Sequence, residues 1–546
     1  MTHAAAAVND DGHSWNLSSR QKLEILLAIL LTLFLFALDQ TVVGTALPKI
    51  ITDLEGQSLY TWAVTIYLLT STISGPIYGK LSDLYGRRPI FIWAVGLFLA
   101  SSIFAGLSQE MWQFVLARGL QGLGGGAVFP IALAVIADLY PPEERAKYGA
   151  LFGAVFGLSS VLGPFLGGFI ADQFGWPWIF FINVPLALIS LVICWRLLPP
   201  VKNPEGGRNI DYIGAALFGA AIAPILIGLT NKQTLDWTDP WVGGAILIGL
   251  VVLVVFLAWE TRAADPLVRL DLFRNRNVAV SVLSMSLASF GFFGAIIFLP
   301  QWFQIVRGMS ATESGINLLP LVFALIVGAT LTGQIASRTG RYRVVIFAAM
   351  VILAVGLFLM TGLQANTDVS TVWLWMIFAG LGVGPSFAVF TALVQNSVAP
   401  RVVGVATASL TFFQQIGGTI GLTIAGTVLA DSLSRELPNR MLANNIPQPF
   451  VDAFESQGGG GNALSFTGTG DLGQRILDSL PPEAVPFVQP FITQIVTSLQ
   501  EAFALAIAST FWIGIAAAVI AAVFVLFVKD PDRAQARTQG AVPLAM

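Results

Sequence analysis

Charge is what this sequence has least of. Only 11% of its 546 residues are Asp, Glu, Lys or Arg, while 55% are hydrophobic. A water-soluble domain carries roughly 25% charged residues, so this chain cannot cover a water-facing surface and its solvent is mostly lipid. Cysteine is nearly absent too: Cys194 stands alone, which excludes an internal disulfide. The two histidines, His3 and His13, both fall in the polar N-terminal stretch. No Cys/His metal cluster and no cysteine–histidine nucleophilic pair can be assembled from these. No metal, no cofactor and no enzymatic activity are therefore expected. The nearest thing to a phosphate loop is GPIYGKLS at 75–82, one residue short between its glycines and with Leu81 where Ser or Thr belongs, which argues against an ATP-driven pump. A formal charge of −3 says little about partners until it is divided by membrane side; no nucleic-acid partner is expected.

Long apolar runs are what is there. A spanning helix needs about 20 mostly apolar residues. Fourteen runs qualify, near 24–47, 59–79, 89–108, 112–138, 148–171, 177–197, 212–230, 241–260, 278–302, 314–336, 343–364, 371–394, 403–429 and 504–528. The first is too long for the core of a signal peptide and no small-residue cleavage pattern precedes it, so it is expected to remain in the mature chain. With these spans, 21 of the 28 lysines and arginines fall on one side, six on the other, and Arg118 within a span. Basic residues mark the cytoplasmic side. The expectation is a multi-pass protein of the cell (cytoplasmic or inner) membrane with both termini cytoplasmic.

The chain also repeats itself. Gly79, Gly86 and Arg87 match Gly333, Gly340 and Arg341 at an offset of 254, and GLGGGAVF at 122–129 matches GLGVGPSF at 380–387 at an offset of 258. Two landmarks in the same order argue for a duplicated half, a common build for secondary transporters. The expected fold is all-α: two pseudo-symmetric six-helix halves plus an inserted helix pair. The segments are a cytoplasmic tail (1–23), an N-terminal bundle (24–197), a linker with the inserted pair (198–276), a C-terminal bundle (277–528) with an outer loop (430–503), and a second cytoplasmic tail (529–546). Residues 487–503 place Val488, Phe491, Ile495, Leu499 and Phe503 at helical spacing, which predicts an amphipathic helix on the outer membrane face or on its own bundle. The loop holds eight acids against three arginines: a solvated surface, a cation-attracting vestibule, or a face for an outer partner.

Ionisable groups inside a span are expensive and so are functional candidates. Two are deep, Asp39 in the first span and Arg118 in the fourth. Counted along the helices, they lie about 14 Å and about 9 Å below the same face, so they can pair. Burial raises a carboxyl pKa and a nearby guanidinium lowers it; a site between those pulls can load and release a proton. The alternative is a static pair that locks two helices. Spans 9–13 carry no acid, only hydroxyls and amides such as Gln395, Gln414 and Gln415. Coupling by titration should therefore live in the first half. In the connection GKLSDLYGRRPI at 79–90, Asp83 stands four residues before Arg87, a spacing for pairing, and Asp138 at the end of span 4 is a candidate outside partner. These would form an ionic latch.

That stretch resembles the loop 2–3 signature of the major facilitator superfamily. RGLQGLGGG at 118–126 resembles its span 4 signature and GPFLGG at 163–168 its span 5 antiporter signature. LDQTVVGTALP at 38–48, Trp62, Tyr67 and WPWIFFINVP at 176–185 are similar to the fourteen-span drug:proton antiporter branch, the multidrug efflux transporters. The resemblance implies alternating access, with proton entry exchanged for export of an amphiphilic compound. It makes Asp39 and Arg118 the proton-coupling pair, and Asp83, Gly86, Arg87, Arg88 and Asp138 the gate latch. Gly163, Pro164, Gly167 and Gly168 become the packing kink of antiporters. Gln121, Trp62, Tyr67, Phe293, Phe412 and Gln414 are candidates for the substrate cavity. The expected partners are protons, the lipid bilayer and a small hydrophobic or amphiphilic substrate. The missing second-half acids disfavour dications. An exporter of lipids or hydrophobic metabolites and a non-transporting membrane sensor are the alternatives.

Overall fold

A computed structural model of the chain describes residues 17–54, 59–140, 142–199, 211–232, 235–263, 266, 268–398, 402–456, 472–478 and 485–530. Within helices a few side chains, among them those of Pro164, Asp172 and Phe293, fall outside that description. All regular structure among the described residues is helical. In lipid every backbone N–H and C=O must find its partner inside the chain, which long helices achieve.

Twelve helices among the described residues are long and apolar enough to cross a membrane. They occupy the places of the expected spans except the second and fifth. At those two places the chain still forms long helices, α2 (Tyr60–Tyr85) and α6 (Pro142–Gln173). The first half begins with α1 (Ser19–Asp53), started by a capping box in which Ser18 and Gln21 satisfy each other's backbone N–H. It continues through α2, α3 (Arg87–Gly106), and α4 (Met111–Gly125) with α5 (Val128–Leu139) stacked as one span. After α6 come α7 (Pro177–Phe181) and α8 (Asn183–Leu197), two pieces of one span that join at Ile182. The inserted pair is α9 (Tyr212–Asn231) and α10 (Ala245–Glu260). The second half holds α11 (Arg276–Gln301), the short α12 (Ala311–Asn317), α13 (Leu319–Thr339), α14 (Tyr342–Met360), α15 (Val369–Ser397) and α16 (Val403–Ala443). After α17 (Gln448–Ser456), α18 (Leu472–Asp478) and α19 (Val485–Val488) it closes with α20 (Ile492–Val525).

The sequence repeat is a repeat of packing. A Cβ added at Gly122 would strike the Tyr67 carbonyl of α2, and one at Gly380 the Leu321 carbonyl of α13. Gly126 and Gly384 meet the carbonyls of Ser71 and Leu325 in the same way. The glycines are offset by 258 and their partners by 254, the two offsets of the sequence landmarks. Between each pair of contacts the middle glycine faces the next helix: Gly124 lies against Phe98 of α3, and Gly382 against Leu353 of α14. Small residues let these backbones approach closely. Each half also turns its second helix into its third at a glycine with positive φ, Gly86 at +97° and Gly340 at +69°, a conformation other residues adopt only at a cost.

The halves meet along two equivalent seams. α6 of the first half crosses to α12, α13 and α15, and α16 of the second crosses to α2 and α5. The inserted pair covers one flank: α9 packs on α2 and α16, with Phe218, Ile222 and Leu226 clustered against Leu69. On α10, Leu247, Val251 and Val254 remain exposed, the lipid-facing side of the pair.

The segment after 429 differs from its expected form. α16 continues to Ala443, and residues 492–503 are the first turns of α20. The helical periodicity there serves the protein's own bundle, since Leu499 and Phe503 are buried with Leu433 and Leu437 in one cluster. The Asn444 amide donates to Ser498 Oγ at 3.0 Å, and that hydroxyl donates to the Arg440 carbonyl at 3.2 Å. The glycine-rich stretch 457–471 lies outside the described residues.

Candidate functional site

Asp39 sits in the middle of α1, its side chain wholly buried. A lone carboxylate there would be prohibitively costly. Its Oδ2 accepts from Arg118 Nη1 at 2.5 Å, and Oδ1 accepts from Gln121 Nε2 at 2.9 Å. Arg118 Nη1 also donates to Gln121 Oε1 at 2.7 Å. Arg118 and Gln121 are three residues apart on α4 and share a face, so the three side chains close a triangle of charge-assisted bonds. Beneath it the Tyr67 ring lies 4.1 Å from the guanidinium carbon, a cation–π contact between two fully buried side chains, where such contacts are strongest. Phe36 stacks on Tyr67 at 6.0 Å. Gly125 makes room for both, since a Cβ there would stand 2.7 Å from the Phe36 ring.

Sequence reasoning named Asp39, Arg118, Gln121 and Tyr67, and all four come together. It missed two neutral neighbours. Asn183, at the start of α8, points Nδ2 at Asp39 Oδ1 from 3.5 Å and donates to Ser102 Oγ at 3.0 Å. Ser102 on α3 donates in turn to the Phe180 carbonyl at 3.0 Å. The signal available was an asparagine inside the apolar run FFINVP, which the motif comparison carried along without assigning it.

A second cluster lies at the far end of α2. Arg87 pairs with Asp83 across the Gly86 turn, donates from Nε to Asp138 Oδ2 at 3.1 Å, and donates from Nη1 to Ser82 Oγ at 2.7 Å. Ser82, buried and also unassigned in advance, hands its own proton to the Gly79 carbonyl at 2.8 Å. One guanidinium thus ties the α2–α3 turn to the end of α5. Arg88 follows half-buried in α3 and is not joined to the network.

At the equivalent end of the second half the contact that corresponds to Arg87–Asp138 is replaced by an uncharged one. Asn396 stands where Asp138 stands, and its Nδ2 donates to the Tyr342 hydroxyl at 3.1 Å. That end is instead tied to the chain's last described residues: Asn277 exchanges two 2.9 Å bonds with the backbone of Lys529, and the Arg343 N–H donates to Asp530 at 2.8 Å.

The remaining named residues are more scattered. Gly163 faces Thr41 of α1, Gly167 is buried, and Gly168 has no atom within 4 Å of an added Cβ. α6 passes through all three as one helix. Trp62 is half-buried and Gln414 buried. Phe412 packs against Phe218 of α9, ring centroids 5.3 Å apart and the planes tilted by 57°. The side chains of Pro164 and Phe293 lie outside the described residues. Among the described residues, no cluster of His, Cys, Asp or Glu could hold a metal.

Comparison with known proteins identifies the family. The family model of the Major Facilitator Superfamily matches residues 29–212 and 212–422. The chain is 34% identical over 509 residues to the multidrug transporter protein MdtP of Bacillus subtilis (strain 168), covering 92% of each chain. It is 32% identical over 506 residues to multidrug resistance protein 3 of the same organism, covering 92% of this chain and 94% of the other. Among solved structures, the proton:xylose symporter XylE of E. coli, bound to 6-bromo-6-deoxy-D-glucose, superposes with a TM-score of 0.56 at 17% identity, over 93% of this chain and 96% of that one. Matched from residue 29 to residue 422, this multi-pass membrane protein belongs to the major facilitator superfamily, a family of transporters rather than enzymes.

Proposed function

We propose that the chain is a proton-coupled exporter of amphiphilic or hydrophobic small molecules, drugs among them, working by alternating access. The carrying observation is the dry Asp39–Arg118–Gln121 triangle, set in a half whose partner offers no equivalent acid. Among the described residues, the buried polar side chains of α11 to α16 are serines, threonines and Gln414. A proton on Asp39 would cancel the ion pair and release Arg118 to Gln121, so loading and unloading this one carboxyl changes what holds α1 to α4. The multidrug names of the two relatives support drugs as cargo. In this reading the chain has fourteen spans, the latch end and both termini face the cytoplasm, and the bundles and tails divide as the sequence predicts. Gly163, Pro164, Gly167 and Gly168 act as the packing motif of α6, in which Gly163 is the residue seated against Thr41 of α1, and Trp62, Tyr67, Gln121, Phe293, Phe412 and Gln414 meet the cargo during the cycle.

The test uses purified protein in liposomes under an imposed proton gradient, following efflux of a fluorescent lipophilic monocation. Gradient-dependent efflux that Asp39→Asn abolishes while binding persists is the expected result. Equal efflux by both proteins would remove Asp39 from coupling. The lack of second-half acids also favours a second reading, export of lipids or neutral hydrophobic metabolites, which predicts gradient-driven movement of a neutral fluorescent lipid and none of the monocation.

A further inference from the structure

The Asp39 carboxylate has a third neutral arm that the ion pair does not require. Asn183 is 2% exposed and Ser102 0%, so neither amide nor hydroxyl is there to meet water. Their bonds form a thread from Asp39 Oδ1 through Asn183 Nδ2 and Ser102 Oγ to the Phe180 carbonyl. The thread fixes its own polarity. Ser102 spends its single proton on Phe180, so it can only accept from Asn183. Asp39 as a carboxylate can only accept as well. The amide must therefore aim Nδ2, with its two hydrogens, at both.

The lengths show how that amide is shared. The 3.0 Å bond to Ser102 is ordinary, while 3.5 Å to Asp39 is at the outer limit for a hydrogen bond. Ser102 holds the amide back from the carboxylate. A donor that approaches a carboxylate favours its ionised form, so the Ser102 bond governs how strongly Asn183 can do so. The two residues stand on different helices, α3 and α8, and Phe180 on α7, two residues before the Ile182 junction. A shift at that junction changes the amide's reach to Asp39.

We infer that Asn183, restrained by Ser102, is a positioning residue that sets the pH at which Asp39 exchanges its proton. The inference rests on the proposed reading of Asp39 as the coupling acid. Among the described residues, the charged or titratable groups facing Asp39 are Arg118 from α4 and Tyr67 from α2. α3, α7 and α8 bring only Ser102, the Phe180 carbonyl and Asn183.

The two substitutions pull in opposite directions, which a merely structural role would not produce. Asn183→Leu removes the weak donor, so Asp39 should hold its proton to higher pH. Ser102→Ala frees the amide to close on Asp39, so the carboxyl should lose its proton at lower pH. The worth of one neutral hydrogen bond corresponds to a shift of about half a unit to one unit in either direction. The readout is the infrared carbonyl band of protonated Asp39 in the detergent-purified full chain, identified by its loss in Asp39→Asn and titrated with pH. Expected is an upward midpoint shift in Asn183→Leu and a downward one in Ser102→Ala, while Asn183→Ser, which keeps a shorter donor, falls between Asn183→Leu and the parent. Unmoved midpoints, or shifts of the same sign, overturn the inference alone. Absence of any Asp39 band in the parent overturns both the inference and the coupling role beneath it. Should Asn183→Leu fail to fold, the downward shift in Ser102→Ala still decides.

Discussion

Arg118 Nη1 stands 2.5 Å from Asp39 Oδ2, and neither side chain is more than 2% exposed. Removing one member of such a pair leaves the other charge buried and uncompensated, at a cost of about 3–5 kcal/mol. Arg118→Gln, which leaves the Asp39 carboxylate without its counter-charge, should therefore lower the unfolding midpoint of the detergent-solubilised protein by several degrees. Asp39→Asn with Arg118→Gln, which removes both charges and keeps hydrogen-bonding amides, should recover most of that loss. Thermal unfolding of the two singles and the double gives the coupling. Additive losses would mean that the pair is not coupled as the geometry requires.

The latch makes a conformational prediction. Arg87 bridges Asp83 and Asp138, whose side chains are 31% and 27% exposed, so solvent screens the bond and about 1 kcal/mol is a fair worth for one arm. Asp138→Asn keeps the shape and removes the charge, freeing α2 from the end of α5; because α16 packs on both of those helices, the balance should shift toward separation of the two halves at this end by about fivefold. Spin labels on cysteines replacing Tyr85 and Arg338, exposed positions at the ends of α2 and α13, report the distance directly. Cys194 is fully buried and can stay in place. A distance distribution identical to the parent's would remove the latch from gating.

The neutral counterpart should matter less. Asn396 and Tyr342 share a single uncharged bond at 3.1 Å, against the charged bridge of Asp138. Asn396→Ala should therefore change the same spin-label distances less than Asp138→Ala does. Equal effects would show that charge at the first-half latch contributes nothing beyond contact.

What the sequence revealed and what it withheld divide along physical lines. Twelve of the fourteen expected spans were legible because lipid demands long apolar runs, and the Asp83–Arg87 contact because the two are neighbours on one turn. Asp39 and Arg118 stood out as the two deep charges. Asn183 and Ser102 did not, since a neutral polar side chain in a span is tolerated for many reasons and only the fold brings these two beside Asp39. The form of the outer segment was half legible: the spacing of Ile495, Leu499 and Phe503 announces a helix, but a single period cannot say whether its apolar face meets lipid or the rest of the bundle. The repeat offsets carried more than they first promised, because Gly122 and Gly380 proved to rest on residues at the matching offset.

The glycines of 163–168 separate packing from motif membership. An alanine at Gly163 would drive its Cβ into Thr41, whose own Cβ lies 2.6 Å from that position, and whose hydroxyl is held by the Leu38 and Ser159 carbonyls at 3.0 and 3.1 Å. Overpacking of this kind costs about 1–3 kcal/mol. Thr41 is two residues from Asp39 on the same helix, so the strain should also disturb the ion pair and reduce proton-driven efflux. Gly168 has open space where its Cβ would go, and Gly168→Ala should leave the unfolding free energy within about 0.5 kcal/mol of the parent. Unfolding and efflux measured side by side on the two variants check both statements. If Gly168→Ala were as damaging as Gly163→Ala, its importance would have to arise in another state of the cycle, where α6 brings that glycine against a neighbour.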